Sequence, residues 1–144
     1  MIGRSVDNEL RSDVLVDISK EDERRFGCSG KMLKPSRASV QVLVEQIPLG
    51  KVVTTALLRR RLAQSRNAQT TCPFLTKRAL MAIAQDPEAT APWWRVVLGS
   101  GEMIAAYPGG VTQQALHLRR EGVTIAEKAR KNEVMNLTDR LAAL

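Results

Sequence analysis

The chain has 144 residues, 44% of them hydrophobic, and carries 22 Lys and Arg against 15 Asp and Glu, a net charge of +7. That length suits one domain with a real core, and the composition excludes a chain disordered throughout. The charge favours a polyanionic partner, nucleic acid ahead of an acidic membrane surface; the plain alternative is a soluble protein that is merely basic.

Cys28 and Cys72 lie far apart and form no ligand spacing with His117, the only histidine, so no metal and no cofactor are expected. Residues 1–9 lack the apolar stretch of a secretory signal, and no apolar run spans a bilayer. The expectation is a cytoplasmic monomer without membrane contact, nucleoid-associated when DNA-bound.

Residues 1–35 are rich in charge, Ser and Gly and read as a partly ordered arm. Within it, Val14-Leu15-Val16 is a short strand or a docking segment, and residues 20–25 are a solvated charge run. A compact domain, 36–125, starts at Ser36, a helix N-cap followed by Val40, Leu43, Val44 and Ile47 at the spacing of one buried stripe. Pro48 and Gly50 end that helix. Val52-Val53-Thr54 is extended, and Thr54 or Thr55 caps a second helix with Leu57, Leu58 and Leu62 inward. Arg59, Arg60 and Arg61 fill its other positions, as a solvated face or as phosphate contacts. After a polar loop, Thr76 is expected to cap a third helix. Lys77 and Arg78 then fall in its first turn, where the helix dipole disfavours cations unless an anion approaches.

Asp86-Pro87 ends that helix. Trp93 and Trp94 read as the start of a half-buried strand, where alternate side chains must face opposite ways. Residues 95–98 and 102–105 read as a β-hairpin about Gly99-Ser100-Gly101. Tyr107-Pro108-Gly109-Gly110 is a turn, and an amphipathic helix with Ala115, Leu116 and Leu118 runs to Glu121-Gly122. Residues 126–144 read as a helical extension with Val134, Leu137 and Leu141 on one side. The sum is mostly α with a small β-hairpin, an α+β winged helix-turn-helix-like domain.

Six motifs in order now carry a family resemblance. They are Ile47-Pro48-Leu49-Gly50 running on to Thr54, Lys77-Arg78-Ala79, Asp86-Pro87, Pro92-Trp93-Trp94-Arg95-Val96-Val97, Tyr107-Pro108-Gly109-Gly110 and Glu121-Gly122-Val123. Over residues 40–123 the chain resembles the C-terminal domain of the O6-alkylguanine-DNA alkyltransferases (methylated-DNA–protein-cysteine methyltransferases). It is most similar to their non-catalytic relatives, the alkyltransferase-like proteins. The resemblance places Trp93 at the catalytic Cys and Trp94 at the neighbouring His, so both nucleophile and base are missing. Glu121, deprived of its usual partner, is expected to pair with Arg95. Thr55 stands where the family has a Tyr that presses on the backbone of the flipped nucleotide.

The resemblance implies double-stranded DNA as the partner. Thr54, Thr55, Ala56, Lys77, Arg78, Ala79 and Ser100 would touch it, with Arg78 filling the gap left by an extruded base. Trp93, Arg95, Tyr107, Pro108 and Gly109 would form the alkyl-base pocket, and Trp94 with Glu121 a structural network. The implied function is a non-enzymatic reader of O6-alkylguanine that flips the base and flags it for repair proteins, nucleotide excision repair by analogy. The alternatives are a winged-helix binding or regulatory protein of the same fold with no lesion pocket, and, far behind, an alkyl acceptor using Cys28 or Cys72.

Overall fold

The computed structural model describes residues 9–128 and 131–144. Residues 1–8 of the expected arm and 129–130 of the expected terminal helix lie outside the described residues. Among the described residues there are six α-helices, one 3₁₀ turn and three small sheets. No described helix is long and apolar enough to cross a membrane.

Residues 9–35 hold more regular structure than a partly ordered arm. β1 (Val14–Asp17) pairs antiparallel with β2 (Lys31–Lys34), and β2 pairs parallel with β4 (Thr70–Thr71), inside the loop after the second helix of the compact region. α1 (Lys20–Phe26) fills the connection; Ser19 caps it, and Gly27 ends it in the left-handed conformation that glycine tolerates. Leu33 is fully buried in the main core beside Val40, Leu58 and Leu80. Asp13 fastens the unit from the side: it accepts from the Ser36 amide (2.7 Å), the Ser39 hydroxyl (2.8 Å) and the Arg66 Nε (2.9 Å). A charge-rich composition hid these few apolar anchors.

α2 (Arg37–Glu45) begins at Ser36, whose hydroxyl accepts from the Ser39 amide, and it buries Val40, Leu43 and Val44 as the spacing demands. Thr54 caps α3 (Thr55–Ser65) by accepting from the Leu57 amide at 3.1 Å, and Leu58, Leu62 and Ala63 are buried. α4 (Pro73–Gln85) starts a turn earlier than expected. Pro73 occupies the first position, where its missing N–H costs nothing. Thr76 is therefore not a cap; it is buried inside the helix and donates to the Cys72 carbonyl at 2.8 Å. Lys77 and Arg78 lie beyond the first turn, and the dipole argument about them falls away.

The expected hairpin at 95–105 is also replaced. Trp93–Arg95 forms the 3₁₀ turn, and β5 (Val96–Val97) pairs parallel with β3 (Val53–Thr54). The 101–103 segment turns its backbone to the C-terminal region: the Met103 amide donates to the Asn132 carbonyl (2.9 Å) and the Val134 amide to the Gly101 carbonyl (2.9 Å). The hairpin of the structure is β6 (Ile125–Lys128) with β7 (Lys131–Val134), where a terminal helix was expected. Ile125 and Val134 sit opposite each other and are both buried, so alternation toward a core face governs here. Only α6 (Leu137–Arg140) is helical. The tail then returns to β3, with the Val52 amide donating to Arg140 and the Ala142 amide to Val52. α5 (Gly110–Arg120) is the amphipathic helix expected before Gly122.

Two apolar clusters result, a main one among α2, α3 and α4 and a second one around Val52, Val97, Leu118 and Val134. Because Leu33 is a member of the first, Leu33→Ala is expected to lower the unfolding free energy by about 2–5 kcal/mol, the cost of a core deletion. Urea denaturation measures it; a loss below about 0.5 kcal/mol, the range of surface changes, contradicts the integral role of residues 9–35.

Candidate functional site

The Pro92-Trp93-Trp94-Arg95 segment sits where the two clusters meet. Its 3₁₀ turn still separates the indoles: Trp93 packs against the main core and Trp94 against the second. Both close on α5. The Trp94 and His117 rings stack at 4.3 Å between centroids with a 13° tilt. Trp93 meets His117 edge-on at 5.4 Å, Trp94 edge-on at 5.5 Å and Tyr107 at 4.8 Å. These separations are direct contact. Among the described residues, Trp93 thus touches three rings, and no slot for a further ring remains between it and Tyr107.

Arg95 and Glu121 form the expected ion pair. Arg95 Nε donates to Glu121 Oε1 at 2.8 Å and Nη2 to Oε2 at 2.7 Å, and the two side chains are 13% and 10% exposed. Trp94 Nε1 donates to the same carboxylate at 3.0 Å, and Arg95 Nη1 donates to the Ile47 carbonyl at 2.6 Å. Arg95 is thereby committed to the scaffold; the structure does not bring it to a pocket. Burial alone would raise the Glu121 carboxyl, but the hydrogen bonds from Arg95 and Trp94, the Arg95 charge and the Gly50 amide outweigh it and hold it below the ordinary glutamate range. His117 is pushed down, first by burial and then by the Arg120 charge, against a smaller opposing pull from Glu121, so its ring is neutral at pH 7.

Tyr107 is buried, and its hydroxyl donates to the Val96 carbonyl at 3.4 Å; burial also raises its phenol far above the usual value. Pro108 is half-buried and Gly109 exposed. Gly109 and Gly110 take φ of +78° and +68°, and a Cβ at Gly109 would meet the Gln113 side chain at 2.5 Å, so this turn requires glycine.

Gln114 is the residue that pattern reading missed. Fully buried on α5, it donates through Nε2 to the Trp94 (3.0 Å) and Val96 (2.9 Å) carbonyls and accepts from the Ile104 amide at 2.7 Å. It fastens the 3₁₀ turn, β5 and the 104 segment to one helix. The signal was available, since Gln114 lies four residues before Leu118 on the apolar stripe, where a buried amide needs partners. His117 carried no such signal.

Of the other expected site residues, Thr55, Ala56, Lys77 and Arg78 lie on α3 and α4. A cavity of about 200 Å³ opens between these helices and the 98–104 segment, lined in part by Thr55, Arg59, Lys77, Met81, Leu98 and Ile104. Thr55 and Lys77 are therefore brought together. Arg78 is exposed on the same helix but does not line the cavity; it pairs with Glu9 at 3.0 Å. Thr54 is the cap of α3, Ala56 is exposed beside it, Ala79 is fully buried, and Ser100 is exposed in the 99–101 turn. Cys72 is buried at the start of α4, and Cys28 is half-buried near Gln69. Among the described residues no cluster of His, Cys, Asp and Glu suits a metal ion.

The fold built on the α3–α4 unit is that of an alkyltransferase-type DNA-binding domain. The chain belongs to that family: the model for the 6-O-methylguanine DNA methyltransferase DNA-binding domain matches residues 35–123. Its fold is shared by solved structures of S. pombe Atl1 in complex with damaged DNA containing O6-carboxymethylguanine and of S. pombe ATL in complex with DNA. Each is 24% identical, with a TM-score of 0.59, over 75% of this chain and 94% of the other. No curated protein matches the chain.

The clasp sets a pH signature. A carboxyl held below its unfolded value contributes stability above that value, about 4.3, and loses it as pH falls through the folded value. Glu121→Gln is expected to cost about 3 kcal/mol at pH 7, as for breaking a buried pair. The difference from wild type should shrink steadily below about pH 4. Denaturation at stepped pH reads this, and a pH-independent difference refutes the clasp.

Proposed function

We propose that the protein binds double-stranded DNA without transferring an alkyl group, reads O6-alkylated guanine by extruding it from the stack, and leaves the lesion flagged for repair proteins, by analogy nucleotide excision repair. The observation that carries this reading is the cavity bordered by Thr55 and Lys77. Its volume exceeds the roughly 150 Å³ of an apolar cavity that accepts benzene. Leu80, Met81, Leu98 and Ile104 offer apolar surface to an alkylated base. The S. pombe relatives were solved on DNA, one of them with an O6-carboxymethylguanine.

Extrusion costs a few kcal/mol of stacking, least for a damaged base. Arg78 suits the vacated gap because a planar guanidinium stacks between bases. Its exposed pair with Glu9 is worth at most about 1 kcal/mol and exchanges readily for DNA. Lys77 stays at the cavity mouth as a point charge for phosphate. Catalysis has no supporting geometry: Trp93 offers no thiol, Glu121 is taken by Arg95 and Trp94, Cys72 is buried, and His117, the single histidine of the sequence, is stacked on Trp94.

One observation favours a second reading, a DNA-binding module without a lesion pocket. The ring of Trp93 is already in contact with Tyr107, Trp94 and His117, so a base has no place at the expected pocket itself. Variant binding to matched duplexes separates the two. Arg78→Ala is expected to weaken binding to an O6-methylguanine duplex about tenfold or more and to the unmodified duplex far less, since the gap exists only when a base is out. Lys77→Ala should weaken both alike and make the salt slope shallower by about one. Equal losses on the two duplexes for Arg78→Ala would favour the second reading.

A further inference from the structure

The family match begins at residue 35, which leaves the β1–α1–β2 unit outside it. The unit is anchored rigidly through Leu33, Asp13 and the β2–β4 pairing, so the placement of α1 is fixed. α1 is sorted by charge: Glu21, Asp22 and Glu23 occupy its first turn, Arg24 and Arg25 its last. The helix dipole accounts for that order. It does not account for where the basic end goes.

The basic end lies against α3 and α4. The Arg25 guanidinium sits over the Phe74 ring at 5.1 Å and over the Phe26 ring at 5.7 Å. Phe74 is 58% exposed, an unusual position for a phenylalanine, and stands one turn before Lys77 and Arg78 on α4. Phe26 borders a polar cleft of about 480 Å³ with Ala56, Arg59 and Arg60 of α3. Arg59 lines both this cleft and the cavity at Thr55 and Lys77, so the two surfaces are continuous. Its guanidinium is held by the Thr71 carbonyl at 3.1 Å.

We infer that Arg25 on its Phe74 platform, with Arg60 of the cleft that Phe26 borders, forms a second contact for the phosphate backbone of duplex DNA, flanking the α3–α4 face. A guanidinium held over an aromatic ring face spends none of its N–H donors on that contact, which leaves them for phosphate. Among the described residues no carboxylate lies within ion-pair distance of Arg25 or Arg60. The cations are pre-positioned, and Glu21 and Asp22, one helical turn before Arg25 on α1, make no ion pair with it. The contact is blind to sequence and lesion, because it reaches only the backbone. This inference rests on the DNA-binding reading above.

The test is the salt dependence of binding to a long duplex, with and without O6-methylguanine, for wild type, Arg25→Ala/Arg60→Ala and Phe74→Ala. The double variant is expected to make the slope of log affinity against log salt shallower by about two, near 0.9 per phosphate, and to leave the lesion-to-unmodified ratio unchanged. Phe74→Ala keeps both charges but removes the platform, so it should weaken binding to both duplexes with a smaller change of slope. Thermal melts of the variants confirm folding, which surface changes at these positions preserve. An unchanged slope in the double variant, alongside a loss for Lys77→Ala, overturns this contact and leaves the DNA-binding reading intact. Failure of the wild type to bind either duplex overturns both.

Discussion

The Arg95–Glu121 pair is the interaction on which the site depends. Its two parallel hydrogen bonds join the segment after Pro92 to the end of α5, and Arg95 reaches onward to the carbonyl of Ile47 after α2. Three parts of the chain distant in sequence therefore share one guanidinium. A buried pair like this adds little stability over a well-packed apolar substitute, but losing one partner strands a charge, so the pair fixes geometry more than it stabilises. Trp94 completes it, since its indole N–H binds the same carboxylate while its face lies on His117. The second tryptophan is thus a structural residue with a polar handle.

Gln114 does the same work from inside α5. One amide binds the carbonyls of Trp94 and Val96 and the amide of Ile104, three backbone groups of the irregular 93–104 segment. Clasp and amide together let this segment avoid a hairpin. It runs as a 3₁₀ turn, a two-residue strand beside β3 and a turn that pairs with β7. Trp93 is held against Tyr107 and His117 by the same scaffold.

Helices with a clear stripe and a capping side chain were legible in the chain: Ser36 and Thr54 cap where their neighbours' spacing requires. The Arg95–Glu121 pair was legible too, because the family resemblance left Glu121 without its usual partner. What local pattern could not show was long-range pairing. The 102–105 run is a credible hairpin partner for 95–98, yet it pairs with β7, about thirty residues on. Residues 126–144 show helical spacing, yet Ile125 and Val134 bury themselves as cross-strand neighbours. Thr76 looks like a cap, but Pro73 starts the helix earlier, and of the two cations that follow only Lys77 lines the cavity. Residues 9–35 read by composition as part of a partly ordered arm, while Leu10, Leu33, Asp13 and the β2–β4 pairing tie them to the core.

The central claim is that a cavity beside Thr55 and Lys77, with no nucleophile at Trp93, makes a reader of damaged guanine. The most direct measurement is an equilibrium titration of the wild-type protein with two duplexes that differ only by one O6-methyl group on guanine, at fixed salt. The account predicts tighter binding to the modified duplex by about tenfold or more, since the damaged base is cheaper to extrude. Equal affinity for the two duplexes would contradict it.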